Sequence, residues 1–134
     1  LGVKAVSLTG YEADDIIGTI ARKFSGDKIE AVIVSSDKDM MQLISPSISM
    51  YDGMKDKWIR CEEVITKFGA SPECVADILA IAGDASDNVP GVHGIGVKGA
   101  AKLISKFGSL ENIIERSNEL KGAVGKKMKD GAKD

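Results

Sequence analysis

Residues 29–34, Ile-Glu-Ala-Val-Ile-Val, constrain the fold of this chain more than any other stretch. A nearly continuous β-branched run of this length reads as a buried strand of a parallel sheet. Parallel strands need a crossover connection, usually helical, so helices are expected on either side. Upstream, Ile16, Ile17, Ile20, Ala21 and Phe24 recur with a 3.6-residue period between Glu12 and the stop at Ser25-Gly26, which predicts a helix. Downstream, Ser35-Ser36-Asp37 offers helix caps before a short apolar segment from Met40 to Ile44. Residues 48–51 and 57–59, separated by Asp52-Gly53, read as a hairpin at the sheet edge. The opening Val3-Lys4-Ala5-Val6 reads as another short strand, running into the turn-prone Thr9-Gly10.

Strand signals stop near residue 60. Residues 62–68, 72–82, 99–107, 110–115 and 120–128 all read as short helices, with Ser71-Pro72 as a cap followed by proline at the first helical position. The expectation is therefore an α/β layer over 1–60 and a helical module over 61–134. At 134 residues the chain has room for one domain or two small halves, and 43% hydrophobic with 28% charged residues is ordinary globular usage. No apolar run approaches the roughly 20 residues of a membrane span, and the opening LGVKAVSLTG lacks the basic start of a signal peptide. No membrane association and a cytoplasmic location are expected. Because residue 1 is Leu rather than Met, the chain reads as a piece of a longer protein. Cys61 and Cys74 make no disulfide framework, and a single histidine, His93, excludes a structural zinc site built from Cys and His.

Three acidic clusters carry most of the chemistry. Glu12, Asp14 and Asp15 stand at the start of the first helix, where Glu12 and Asp15 share a face and Asp14 points about 100° away from Asp15. Acids in a first turn also favour the helix dipole by roughly 0.3–1 kcal/mol each, so a purely structural role is open to them. Asp37 and Asp39 follow the buried strand directly; two apart in an extended segment, they point the same way, at the end of the strand where α/β sheets place ligands. A capping Asp37 with a solvated Asp39 explains the pair as well. Asp84 and Asp87 lie at a helix C-terminus, where the dipole disfavours acids and stability explains them poorly. The stretch lacks the alternating ligands and terminal Glu of a calcium loop. Seven carboxylates on one rim would repel unless cations neutralise them. Hard oxygen donors with no Cys or His nearby match magnesium or manganese. Two such ions about 4 Å apart can drive phosphodiester hydrolysis.

Residues 83–99 hold five of the 15 glycines. Gly94, Gly96 and Gly99 formally fit a dinucleotide fingerprint, but no strand precedes them, and Gly99 stands where a Walker loop needs Ser or Thr. A helical hairpin whose glycines let backbone amides approach a nucleic-acid phosphate fits better. Lys98, Lys102 and Lys106 recur every four residues as one basic stripe, which is either a phosphate-contacting or a merely solvated ridge. Residues 1–90 hold 9 Lys and Arg against 15 Asp and Glu, while 91–134 hold 9 against 5, so the acidic part precedes the basic one. Aromatics at 4% make base-stacking platforms improbable.

The stretches GYEADDIIGTIA (10–21), VSSDKDMMQLI (34–44) and GDASDNVPGVHGIGVKGAAKLISKFGSLENI (83–113), in this order, resemble the 5′→3′ exonuclease domain of bacterial DNA polymerase I and the wider flap endonuclease family. With their spacers they cover residues 1 to about 115. The resemblance implies a partial parallel-sheet nuclease core (PIN-like, Rossmann-like) and a helical module with a helix–three-turn–helix (SAM-like) at about 76–107. It implies a two-metal site, Mg2+ or Mn2+, that cuts 5′ ends and flaps of DNA. Carried over by position, Glu12 and Asp14 would hold the first metal. Asp15, Asp37, Asp39 and Asp87 would surround the second, with Asp84 in its outer shell. Gly91, Gly94, Gly96 and the three lysines would grip duplex DNA. By analogy with related hairpins, the carbonyls of Pro90, Val92 and Ile95 would ligate a potassium ion. The family pattern also begins with a strand bearing a further metal-binding aspartate, then another aspartate and a basic helical arch. None of these has a counterpart in the chain, and the C-terminal region looks cut short after Gly131. The isolated chain is therefore expected to be a weak or inactive nuclease. A non-catalytic DNA-structure-binding module acting through the glycine hairpin is the alternative, and the oligomeric state is left open.

Overall fold

A computed structural model describes residues 2–116 and 122–131. The chain divides into two compact units, Leu1–Glu63 and Val64–Asp134.

The first unit is α/β. Helix α1 spans Ala13–Phe24, with Glu12 as N-cap and Ser25 as C-cap, where the periodicity placed it. Strand β1 (Ala31–Val34) pairs in parallel with β2 (Ile48–Asp52), which pairs antiparallel with β3 (Lys57–Ile59), giving the order β1-β2-β3. The hairpin forms because Asp52, only 2% exposed, folds its carboxylate back: Oδ1 accepts the N–H groups of Met54 and Lys55 at 3.1 and 3.3 Å. Ile33, Ile48, Met50 and Ile59 are buried. Register sets Ile33 beside Met50 and Met50 beside Ile59, so these belong to one covered face. α1 packs on β1 and on a 3-10 helix at Lys38–Leu43, closely enough that a β-carbon at Gly18 would lie 3.3 Å from Leu43.

Two strand expectations need correction. Val3-Lys4-Ala5-Val6 forms no strand, and Val3 and Val6 are exposed. Its propensity is adequate, but no strand among the described residues lies beside it, and a strand without a ladder does not form. β1 is parallel as expected but is buried on one face only. Val32 and Val34, on the opposite pleat from Ile33, are 46% and 73% exposed. A β-branched run reports strand propensity, while burial of its second face depends on another layer.

The second unit is helical. Helix α2 (Cys61–Phe68) carries the boundary between the units and is followed by a 3-10 turn at Pro72–Cys74 and α3 (Val75–Ala82). The single helix expected over 72–82 is thus split. The Ser71 side chain does not cap it, and the Cys74 N–H donates to the Ser71 carbonyl at 3.0 Å, a 3-10 bond. Helix α4 (Val97–Phe107) packs on α3, with Ala100, Ala101, Ile104 and Phe107 buried against a core that includes Ile78 and Ile81. Helix α5 (Leu110–Glu115) is capped twice, since Ser109 Oγ accepts from Asn112 N–H and Asp77 Oδ2 accepts from Leu110 N–H at 3.0 Å. Helix α6 (Gly122–Gly131) buries Met128. Residues 120 and 121 of the expected last helix lie outside the described residues. No helix among those described is long and apolar enough to cross a membrane. Cys61 and Cys74 are free thiols.

Two measurements test these assignments. Met50, fully buried at the centre of the sheet, should cost about 2–5 kcal/mol on truncation to Ala, whereas Val34→Ala should stay within about 0.5 kcal/mol, both read from urea unfolding. Glu63 accepts the Arg60 N–H at 2.8 Å, which holds its carboxyl below the ordinary range. A depressed folded-state pKa stabilises above the unfolded value and is lost as pH falls through the folded one. The stability gap between wild type and Glu63→Gln should therefore be present at neutral pH and vanish on acidification below the carboxylate range, followed by urea midpoints across pH.

Candidate functional site

In the first unit, the acids of α1 do structural work. Glu12 and Asp15 form a reciprocal capping box, with the Glu12 N–H donating to Asp15 Oδ2 at 3.1 Å. Shared-face geometry was legible from their spacing, and the first-turn role open to them is the one the structure displays. Asp14 is exposed and makes no hydrogen bond or ion pair among the described residues.

Asp37 and Asp39 are related differently from expectation. The segment after β1 is not extended through both. Asp37 caps the 3-10 helix at Lys38–Leu43 and Asp39 lies inside it. The Asp39 N–H donates to Asp37 Oδ1 at 2.9 Å, and the Asp37 N–H donates to Ser35 Oγ at 3.0 Å. The two carboxylates share a tight turn instead of a pleat. The capping tendency of Asp prevailed over the alternation inherited from the strand. Both still stand just past the carboxyl end of a parallel strand, β1, where α/β sheets hold ligands.

In the second unit, α3 ends at Ala82 with Gly83 as its C-cap, φ 81°. The chain then makes a closed loop: Asp84 N–H donates to the Val89 carbonyl at 2.9 Å and Val89 N–H to the Asp84 carbonyl at 2.8 Å. Asp84 is 6% exposed and its Oδ1 accepts the Ser86 N–H at 2.9 Å; Asp87 is exposed on the same loop. From there the backbone returns across the end of α3. Gly91, φ 61°, lies so close that a β-carbon on it would collide with the Gly83 nitrogen and lie 2.6 Å from the Ala82 carbonyl carbon. A β-carbon on Gly83 would come within 2.8 Å of the Pro90 carbonyl oxygen. Val92 N–H donates to the Ile81 carbonyl at 2.7 Å, and Ile95 N–H to the Val92 carbonyl at 3.0 Å. Gly96 is the N-cap of α4.

Lys98, Lys102 and Lys106 are all exposed, on the side of α4 away from its buried residues. A four-residue spacing drifts by about 40° per step, and by Lys106 the ammonium lies over the Phe107 ring, 5.2 Å from its centroid. His93 is an exposed loop residue.

A resolvase-like α/β unit followed by a SAM-type helical unit is the class of protein that this fold and these acids define. The chain belongs to the 5′-3′ exonuclease family: the family model of the N-terminal resolvase-like domain matches residues 1–69, and that of the C-terminal SAM fold matches residues 70–134. It is 50% identical over 116 residues to DNA polymerase I of Rhizobium leguminosarum, covering 87% of this chain and 11% of that protein. It is 44% identical over 114 residues to the 5′-3′ exonuclease of Aquifex aeolicus (strain VF5), covering 85% of this chain and 39% of that protein. A solved structure of T5 5′-exonuclease with divalent metal ions (zinc) bound is 25% identical with a TM-score of 0.82, covering 95% of this chain and 47% of that one. The chain thus spans less than half the length of each of these relatives.

The crossing at Gly91 sets a test. Ala there meets backbone on one side and left-handed strain on the other, so Gly91→Ala should destabilise the protein by more than the roughly 1–2 kcal/mol of strain alone. Gly96→Ala, with φ −89° and open space around it, should cost under about 1 kcal/mol. Urea unfolding of both variants reads the difference.

Proposed function

We propose that this chain is the metal-binding and DNA-gripping part of a 5′→3′ exonuclease or flap endonuclease of the DNA polymerase I type, hydrolysing phosphodiesters at 5′ ends and flaps in replication and repair. The observation that carries this reading is the ordered match of both family domains, over 1–69 and 70–134, to the sequence that holds the three acidic clusters. On this reading Glu12 and Asp14 hold one metal, Asp15, Asp37, Asp39 and Asp87 surround a second, and Asp84 stands in its outer shell. The donor set fits a hard divalent ion, since every group is a carboxylate and no Cys or His lies within 12–15, 37–39 or 84–87. The zinc-bound T5 5′-exonuclease supports divalent ions in general; the hardness of the carboxylate donors favours Mg2+ or Mn2+.

When bound, such ions supply the Lewis acidity that activates water and stabilises the leaving oxygen. The chain's own part is to hold the donors ready. The Asp39 N–H fixes one oxygen of Asp37, and a carboxylate has lone pairs enough to keep that bond and also ligate. The same applies to Glu12 and Asp15, whose capping box pre-positions both groups. The Asp84 carboxylate is set by the Ser86 N–H.

DNA is the proposed partner, gripped sequence-independently by backbone around Gly91, Gly94 and Gly96 and by Lys98, Lys102 and Lys106. The carbonyls of Pro90, Val92 and Ile95 are proposed to ligate K+; the Val92 carbonyl oxygen accepts the Ile95 N–H with one lone pair and retains another. A DNA-structure-binding module without catalysis is favoured by the same exposed lysine stripe, which needs no divalent ion. The chain alone is proposed to cut weakly or not at all, because the pattern's further aspartates and basic arch have no counterpart within residues 1–134.

Calorimetric titration with Mn2+ should show binding that Asp37→Asn with Asp87→Asn weakens by about tenfold or more. Magnesium-dependent cleavage of a 5′-flap duplex by the chain alone should be weak or absent. No heat with Mn2+ would return the acids to capping roles, and robust cutting would refute the proposed dependence on further residues. Duplex binding that survives chelation in a chain without Mn2+ affinity would favour the non-catalytic module.

A further inference from the structure

We propose that Lys127 completes a phosphodiester-binding site on the glycine hairpin, adding a cation from α6 to those of α4. This deepens the DNA reading above and rests on it. Lys127 lies 33 residues beyond Gly94, in a stretch whose pattern marks only a helix, with no motif linking the two. In the second unit the two meet. Gly94 is exposed and left-handed, φ 75°, and a β-carbon on it would lie 2.5 Å from Lys127 Nζ and 3.4 Å from its Cε. The ammonium therefore occupies the place a side chain at 94 would fill. Glycine there admits the lysine as well as the turn.

This placement is built into the fold. Met128, the next residue, is 2% exposed and anchors α6, while Lys126 on the other side is exposed. Adjacent helical residues point about 100° apart, so the side chain next to the buried methionine lies at the edge of the packed face, where Lys127 reaches Gly94. Lys127 is half-buried and makes no hydrogen bond or ion pair among the described residues. Residues 91–134 carry 9 basic against 5 acidic side chains. A half-buried lysine with no ion pair among the described residues, held against a backbone loop in a basic region, suits an anion. A phosphodiester fits: it is singly charged, it reaches the backbone at Gly94 where no side chain stands, and it would be shared with Lys98, four residues on from that glycine. Such a contact positions DNA without reading its sequence.

The test measures fluorescence anisotropy of a labelled short duplex with the whole chain in EDTA, over a series of salt concentrations. Lys127→Met keeps the aliphatic stem and should weaken binding about three- to tenfold while lowering the log K against log salt slope by about one; Lys127→Arg should restore both. An equal loss in both variants with an unchanged slope would mean a packing role and overturn the proposal. Unchanged binding in Lys127→Met, beside weaker binding in Lys98→Ala with Lys102→Ala, would overturn it and leave the DNA reading standing. If none of these substitutions changes binding, the DNA reading falls together with it. Circular dichroism establishes that each variant is folded before it is scored.

Discussion

The second unit turns on one contact between two stretches of backbone. The chain leaves α3 at Gly83, closes a loop through the paired bonds of Asp84 and Val89, and comes back across its own starting point at Gly91. Neither glycine has room for a β-carbon, because each faces main chain, which cannot be moved aside as a flexible side chain can. The Val92 N–H then docks on the Ile81 carbonyl in the last turn of α3. One crossing therefore fixes two things at once. It holds Asp84 and Asp87 on a closed loop, and it launches the hairpin that carries Gly94, Gly96 and the start of α4. Acids and hairpin could not be moved independently without opening it.

Local features of the fold were legible where the chain decides its own structure. The 3.6-residue period and the Ser25-Gly26 stop gave α1 to within a residue, and Asp52-Gly53 marked the hairpin because the Asp52 carboxylate binds the turn's own amides. What could not be read was what a second layer would or would not do. Val3-Lys4-Ala5-Val6 has strand propensity and no ladder, and Val32 and Val34 have the residue type of a doubly buried strand with one face uncovered. Propensity is a property of a segment, whereas burial is a property of its neighbours. Likewise, the Asp77 carboxylate that caps α5 is 33 residues from Leu110, and no local pattern announces it.

The candidate site divides along the same line. Glycines and acids at motif spacing were visible because loops need particular residue types, and they lie within the stretches that the two family models match. The geometry of Asp37 and Asp39 departs from strand alternation because two local preferences compete there. Strand alternation would have aligned the carboxylates, but an aspartate that can bind the amide two residues on forms a turn first. At Glu12 and Asp15 the observed capping role leaves the proposed chemical role open. A capping box holds both side chains in defined positions, which is also what ordered ligands require. Lys127 is the opposite case, a residue with no local signal that lies against Gly94 beside the buried Met128.

Charge gives the division a physical purpose under the proposed function. Over residues 1–90 acidic side chains outnumber basic ones by 15 to 9, and over 91–134 basic outnumber acidic by 9 to 5. A polyanion is repelled by the first stretch and attracted by the second. The basic stripe of α4 and the ammonium over Gly94 can therefore capture a phosphate backbone with no help from divalent ions, through counterion release. The carboxylates cannot approach a phosphate until cations offset them. Grip and chemistry are thus gated by different ions: monovalent salt weakens the first, and divalent ions permit the second. Under the proposed function such a chain would hold DNA before divalent ions permit the reaction, and the backbone crossing at Gly91 ties the loop of acids to the hairpin.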